Sequence, residues 1–380
     1  MDERVLAERL ITYDTSTSDG LRAAVGFVKG WLEAREVPVT GRGFGGLLVV
    51  LADVGPAEGP CVILHGHLDV VPAHAGQFSP RIEGDRLIGR GAYDMKGGLA
   101  AMMCAVHDIA ETAKIRVRFI CVPDEESDNL DFRCTEALVQ EGLRGDFAIT
   151  GEPTDLHIGV QAKGVLAIRV EVTGTAAHGS TPWNGDNAIL KAYDVFRRIE
   201  TLRFSRESSD LFDRPSINIA RIIGGDAFNK VPDRCTMDVD IRFLPNQDPG
   251  EILAEVRALG DDVRIVKTFH RAPAHVSRSN LYVRALREAV SHSLDDEAVS
   301  VGRDGASDAI SFLEAGVPAV EFGPTGGGHH GPEEWVSIDS LSRYRQALRD
   351  FVLGLPEWLA RDGESARRPP LRAVDGGLSA

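Results

Sequence analysis

Apolar residues recur along this chain with two different periods. After Asp19, a candidate N-cap, Leu21, Ala24, Val25, Val28 and Leu32 fall three or four apart, the spacing of one helix face. Val5, Leu6, Leu10 and Ile11 repeat that spacing near the N-terminus. Short continuous apolar runs follow, at Cys61-Val62-Ile63-Leu64, Val117 to Val122 and Phe147-Ala148-Ile149-Thr150. Runs of this kind fill strands covered on both faces. An Ala/Met-rich stretch after Gly97-Gly98 predicts a helix through Ile109. The alternation of strand and helix predicts an α/β fold.

From about Gly164 the texture changes. Strands are expected at Val165 to Val172, Ser216 to Ile223, Cys235 to Phe243 and Val263 to Val266, with helices at Asp186 to Ile199 and from Pro249. That order predicts a small ferredoxin-like α/β sandwich inserted into the larger domain. The α/β pattern resumes near Asn280 and ends on a strand at Ala319-Val320-Glu321-Phe322. The expected division is a first catalytic part at 1–163, an inserted domain at 164–275 and a second catalytic part at 276–360. The tail 361–380, with Arg367-Arg368-Pro369-Pro370 and few large apolar residues, is expected to be disordered. No internal repeat is visible.

Composition excludes several classes of function. The 380 residues are 43% hydrophobic and 26% charged, ordinary globular proportions with room for two domains. A net charge of -15 repels phosphate backbones and anionic lipid, so neither nucleic acid nor membrane is an expected partner. Cys61, Cys104, Cys121, Cys134 and Cys235 are odd in number and widely spaced, and read as small buried residues. The acidic start Met1-Asp2-Glu3 followed by a helix pattern is no signal peptide, and a cytoplasmic location is expected. No Gly-x-Gly-x-x-Gly or Gly-Lys-Ser/Thr loop supports a nucleotide binder.

Candidate chemistry lies where the strands should end. Five segments carry it: His65-Gly66-His67-Leu68-Asp69, Gly91-Ala92-Tyr93-Asp94-Met95-Lys96-Gly97-Gly98, Pro123-Asp124-Glu125-Glu126, Gly151-Glu152-Pro153-Thr154 and His330-Gly331-Pro332-Glu333-Glu334. Taken singly, a His-x-Asp is ordinarily a satisfied pair at a strand end, and an acidic pair is ordinarily solvated surface. Together they supply the imidazole and carboxylate mixture of a dinuclear zinc site. Asp94 is assigned as the bridge, His67 and Glu152 to one ion, and Glu126 with a histidine from His329-His330 to the other. Spacing leaves those two histidines open. Glu125 remains as an unliganded base for a metal-activated water, and Asp69 as the acceptor for the second imidazole N–H of His67.

These motifs resemble those of the M20 family of metallo-aminoacylases and peptidases, which contains acetylornithine deacetylase, succinyl-diaminopimelate desuccinylase, aminoacylase-1 and the glutamate carboxypeptidases. The resemblance covers about residues 5 to 355. It implies a zinc-peptidase-like α/β catalytic domain with an inserted lid and dimerisation domain. It matches His67 through Asp69 to the family's His-x-Asp, Asp94 to its bridging aspartate, Glu125 to its base, and Glu126 and Glu152 to metal ligands. The family's last histidine precedes an acidic or amide residue three places on and a Glu four places on, which His330 meets with Glu333 and Glu334 and His329 does not. Two divalent ions are implied, zinc foremost, with cobalt or manganese as alternatives.

In the inserted domain the resemblance extends to Gly174-Thr175-Ala176-Ala177-His178-Gly179-Ser180-Thr181-Pro182. It implies that His178 stabilises the oxyanion, from the partner subunit in dimeric members. Asn229 and Arg242 match positions that hold a substrate α-carboxylate, with Asn218 as a lesser helper. A surface Arg242 paired with Asp240 or Asp238 is the ordinary alternative. Gly305 opens a loop resembling a substrate-side loop, where Ala306 lacks the desuccinylases' hydroxyl. Thr181 stands where desuccinylases carry an aromatic residue. The implied activity is hydrolysis of a small N-acyl amino acid by an acetylornithine deacetylase-like homodimer. A dipeptidase or carboxypeptidase with the same site is the near alternative, and a silent metabolite-binding homologue the remote one.

Overall fold

The computed structural model describes residues 2–127, 132–294, 297–305 and 308–367, with side chains through 361. A nine-stranded sheet organises the larger part. Across it run Val39–Phe44, Leu47–Val54, Arg116–Val122, Cys61–His67, Phe147–Thr150, Ala319–Glu321, Ile158–Ala162 and Ala274–His275, while Ser300–Arg303 also pairs Ile158–Ala162. The strands from Arg116–Val122 to Ala319–Glu321 are parallel to one another, so their carboxyl ends share one edge. All seven residues of Cys61–His67 are buried. Helices lie on both faces, which is why these strands lack alternation.

One face packs against Glu3–Ile11, Ser18–Glu33, Gly97–Ile109, Leu281–Leu294 and Ile338–Arg367, in a core holding Phe119, Phe147 and Phe351. The other packs against Cys134–Gln140 and Ala309–Glu314 through Ile63, Ile120 and Phe312. Each such buried side chain contributes roughly 1.5–3 kcal/mol. All five cysteines are buried and unpaired, as expected from the sequence. No described helix is long and apolar enough to cross a membrane.

The second sheet is antiparallel, in the order Ser216–Gly224, Arg234–Phe243, Gly164–Thr173 and Val263–Arg271. With the helices Ala188–Ile199 and Pro249–Arg257 its chain order is βαββαβ, the ferredoxin-like arrangement. Burial alternates along Arg234–Phe243, with Met237, Val239 and Ile241 against the helices. Asp238 and Arg242 alternate onto the solvent side. A third, small sheet joins Gly326–Gly327, Trp335–Ser337, Arg86–Ile88 and Arg81–Glu83. The loop bearing both histidines lies between its first two strands.

Several boundaries differ from the sequence expectation. The helix expected after Asp19 is capped by Thr17, whose side chain accepts from the Gly20 amide, so Asp19 falls inside the first turn. The helix expected from Asp186 starts at Ala188, because Asn187 accepts from the Ile189 and Leu190 amides. The tail was expected to be disordered from residue 361, but the last helix runs on to Arg367 and carries Pro356 inside it. The rest of the expected tail, 368–380, lies outside the described residues, as does Ala306.

Candidate active site

His67 ends its strand, and alternation puts it on the same face as His65. Thr150, opposite His65, is two residues before Glu152, and Val122, opposite His67, leads directly into Glu125 and Glu126. Register alone therefore delivers an imidazole and three carboxylates to one edge. The Asp69 carboxylate accepts from the amides of Glu125 and Glu126, at 3.1 and 2.7 Å, and fixes that loop. His67 Nδ1 lies 3.0 Å from the Asp69 main-chain oxygen and 3.5 Å from its carboxylate. Asp69 thus orients His67 chiefly through its backbone, while its side chain braces the adjacent acidic pair. With the ring held at Nδ1, Nε2 faces Asp94 Oδ1 at 3.0 Å.

Asp94 hangs on a loop seated against the strands by Met95. A Cβ on Gly66 or Gly151 would stand 2.6 or 2.7 Å from Met95 Cε, so the bare backbone at both positions leaves room for the Met95 side chain as it lies. Gly91 turns the loop with a φ of 78°. The Asp94–Met95 peptide bond is cis. The Glu334 carboxylate, 1% exposed, accepts from the amides of Gly91, Tyr93 and Asp94 at 3.0 Å each and from Arg90 Nη1 at 2.6 Å. Arg90 Nη2 also donates to the His330 carbonyl at 3.0 Å. One buried ion pair thereby ties the aspartate loop to the histidine loop. Sequence motifs placed Glu334 after the histidine but gave it no such role.

Both histidines of that loop face Asp94. His329 Nε2 contacts Asp94 Oδ2 directly, while His330 Nε2 lies 3.4 Å from Asp94 Oδ2 and 2.8 Å from Glu126 Oε1. His330 has a φ of 58°, beside a tight turn closed by Gly331 N to Gly328 O at 2.7 Å. Two donor groups result, Asp94 with Glu126, His329 and His330, and Asp94 with His67 and Glu152. Asp94 belongs to both. The spatial grouping leaves His329 beside the sequence-selected His330.

The charges of these groups record a site built for cations. Burial opposes ionisation of Asp94, yet hydrogen bonds from His329, His330 and His67 hold its carboxyl well below the usual range. Burial likewise opposes protonation of His67, but the carboxylates of Asp69, Asp94 and Glu152 hold its imidazole well above the usual range. Hydrogen bonds to Asp94 and Glu126 push His330 up to about 10. Burial, with Asp308, Asp94 and Glu126 nearby, pushes Glu125 up to about 8. Burial and the neighbouring carboxylates also raise Glu152. Its Oε1 is buried with no hydrogen-bond partner, an orphan acceptor beside a bridging carboxylate. The donor set, oxygens and imidazole nitrogens on either side of Asp94, fits two divalent ions.

The other expected residues stand apart from this cluster. His178 is exposed, its Nδ1 2.7 Å from Ser180 Oγ, and its backbone pairs with that of Lys230 in an isolated antiparallel bridge. The Asn229 carbonyl accepts from the Gly179 amide at 2.7 Å. Arg242 Nε pairs with Asp240 at 3.0 Å, the ordinary alternative for a strand arginine. Asn218, exposed, stands opposite Asp240 in the adjoining strand. A Cβ on Gly305 would meet no atom of the described residues within 4 Å. Among the described residues, no hydrogen bond or ion pair joins these side chains to Asp94 or its donors.

The fold and this donor arrangement define a metallohydrolase of the α/β peptidase type. Residues 63–354 match the model of peptidase family M20/M25/M40, and the chain belongs to that family. It is 32% identical over 367 residues to an acetylornithine deacetylase of Proteus mirabilis, covering 89% of this chain and 91% of that protein. It is 30% identical over 318 residues to a succinyl-diaminopimelate desuccinylase of Leptothrix cholodnii, covering 78% and 82%. A tripeptidase from Staphylococcus aureus superposes with a TM-score of 0.77 at 21% identity, over 93% of this chain and 97% of that one. The protein is accordingly a hydrolase of a dinuclear, metal-dependent family.

Proposed function

We propose that the protein hydrolyses the amide bond of a small N-acyl amino acid. The observation that carries this reading is Asp94 shared between two donor groups beside the half-buried Glu125. In this reading His67 and Glu152 with Asp94 hold one divalent ion, and Glu126 and His330 with Asp94 hold the other. When bound, the pair, zinc foremost with cobalt or manganese as alternatives, acidifies the attacking water and polarises the amide carbonyl. Glu125 takes the proton of that water and passes it to the leaving nitrogen. Asp69 keeps Glu125 and Glu126 in register through their amides.

His178 donates to the oxyanion, and Arg242 with Asn229 and Asn218 holds the α-carboxylate, with Gly305 on the substrate side. These residues lie on the inserted domain or its flank, so they work on a substrate that bridges the parts or in a second copy's site. Ser216–Gly224 is an edge strand with Ile222 and Ile223 exposed, and Leu190 and Tyr193 stand exposed on the Ala188–Ile199 helix. That unpaired edge with its apolar fringe supports a homodimer.

The test is amine release from N-acetyl, N-formyl and N-succinyl amino acids and simple dipeptides, with zinc or cobalt and with chelator. Metal-dependent cleavage of acyl amino acids is the expected result. Cleavage of dipeptides alone would move the protein to the peptidase branch of its family. No cleavage with metals bound would overturn the hydrolase chemistry proposed for this site.

A further inference from the structure

Among the described residues, Arg303 is a cation on the sheet face of the donor cluster that has no assigned part. Thr150 stands opposite both His65 and Glu321, and residues opposite each other in neighbouring strands share a face. Glu321 therefore lies on the face and edge that carry His67. Arg303, at the end of Ser300–Arg303, reaches onto the same face across Gly159. A Cβ on Gly159 would stand 3.0 Å from Arg303 Cγ and 3.1 Å from Glu321 Cβ, so the missing side chain there is the guanidinium's path. Arg303 Nε donates to Glu321 Oε2 at 2.9 Å.

That bond occupies Nε alone. Neither terminal nitrogen of Arg303 has a hydrogen-bond partner among the described residues, and its side chain is 31% exposed against 6% for Glu321. Its charge is felt by Glu152 and by the Tyr93 phenol, whose ring meets His329 edge-on at 6.4 Å. A guanidinium tied through Nε, with both terminal nitrogens unpaired among the described residues, presents the fork that a carboxylate fills bidentately.

We propose that Arg303 is an anion anchor of this site, binding a second carboxylate of the substrate in addition to the α-carboxylate. The anchor rests on the deacylase reading for the identity of its ligand. The same chemistry arises from a dicarboxylic acyl group or from an acidic side chain on the amino acid, and two matched substrate pairs separate them. N-succinyl-L-alanine against N-butyryl-L-alanine probes the acyl end. N-acetyl-L-glutamate against N-acetyl-L-glutamine probes the side chain.

For zinc-loaded protein, kcat/KM favours the charged member of one pair. Arg303→Gln lowers that preference about 30-fold, chiefly through KM, and Arg303→Lys restores part of it. If Arg303→Gln lowers both members of each pair equally, or strips zinc and lowers the melting temperature without changing the preference, the anchor is overturned and Arg303 only balances charge. If the wild type cleaves neither pair, the deacylase reading fails, and calorimetric titration of glutarate against butyrate decides the anchor. Tighter glutarate binding that Arg303→Gln abolishes upholds it. Equal binding of the two acids overturns it.

Discussion

The carboxyl edge of the large sheet and the solvent face of the inserted sheet both carry candidate site residues, but only the first is assembled. At the edge, Asp94 has three imidazoles around it, Asp69 holds two neighbouring amides, and Glu334 satisfies three more and a buried arginine. On the inserted sheet, His178 touches its own loop and Arg242 its own strand neighbour. The difference teaches that the donor groups are preorganised within one chain, whereas the residues proposed for substrate recognition make no contact with them among the described residues. Preorganised donors gain affinity because little ordering remains to be done on binding.

The sharpest way to break this contrast is at Glu125. Glu125→Ala is expected to keep both metals by elemental analysis and to lose about 10²- to 10⁴-fold in kcat. Normal turnover would remove Glu125 from its role as base. Next comes the brace beneath Asp94. Glu334→Ala leaves the Arg90 guanidinium buried without its partner, a loss of about 3–5 kcal/mol by chemical denaturation together with weaker metal binding. Unchanged metal affinity at lowered stability would show that Asp94 does not depend on that brace.

The inserted sheet is tested by His178→Ala, for which about a 10²-fold loss of kcat with metals retained is expected. Mixing it with Glu125→Ala then asks whose site His178 serves. If it serves the partner's, exchange of subunits regenerates roughly a quarter of the sites. No recovery after demonstrated exchange would confine His178 to its own chain.

The smallest effect concerns pH in chelator-treated protein. Glu125, pushed up from 4.5 to about 8, and His330, pushed up from 6.5 to about 10, both hold protons in the folded chain that the unfolded chain has released. The folded state then binds more protons, so stability falls as pH rises. Glu125 contributes below pH 4.5 and loses that through about 8, while His330 contributes below 6.5 and loses that through about 10. A melting temperature that rises with pH across this window would contradict these assignments.

Much of the edge was legible because its signals are local. Phe147–Thr150 and Gly97–Ile109 match their apolar runs, and each expected ligand ends a strand or comes within a few residues after a strand or a glycine turn. Other features depend on contacts that no pattern encodes. Val39–Phe44 carries two glycines and is largely exposed, so it lacks the apolar run of a strand and gains its place only by pairing with Leu47–Val54. Residues 361–367 look like a tail, yet they extend a helix already held by Phe351 and Leu355 in the core. His329 and His330 cannot be separated by spacing, since a left-handed residue inside a turn brings both rings to Asp94. Glu334 and Arg303 read as ordinary charges until their partners across the fold are known.

Two metals joined by Asp94 are the centre of the account, and anomalous diffraction at the zinc edge from crystals of the zinc-loaded protein tests this most directly. Two peaks are predicted, one on each side of the Asp94 carboxylate, with His67 and Glu152 on one ion and Glu126 and His330 on the other. A single peak, peaks that do not share Asp94, or His329 in place of His330 as the ligand would contradict it.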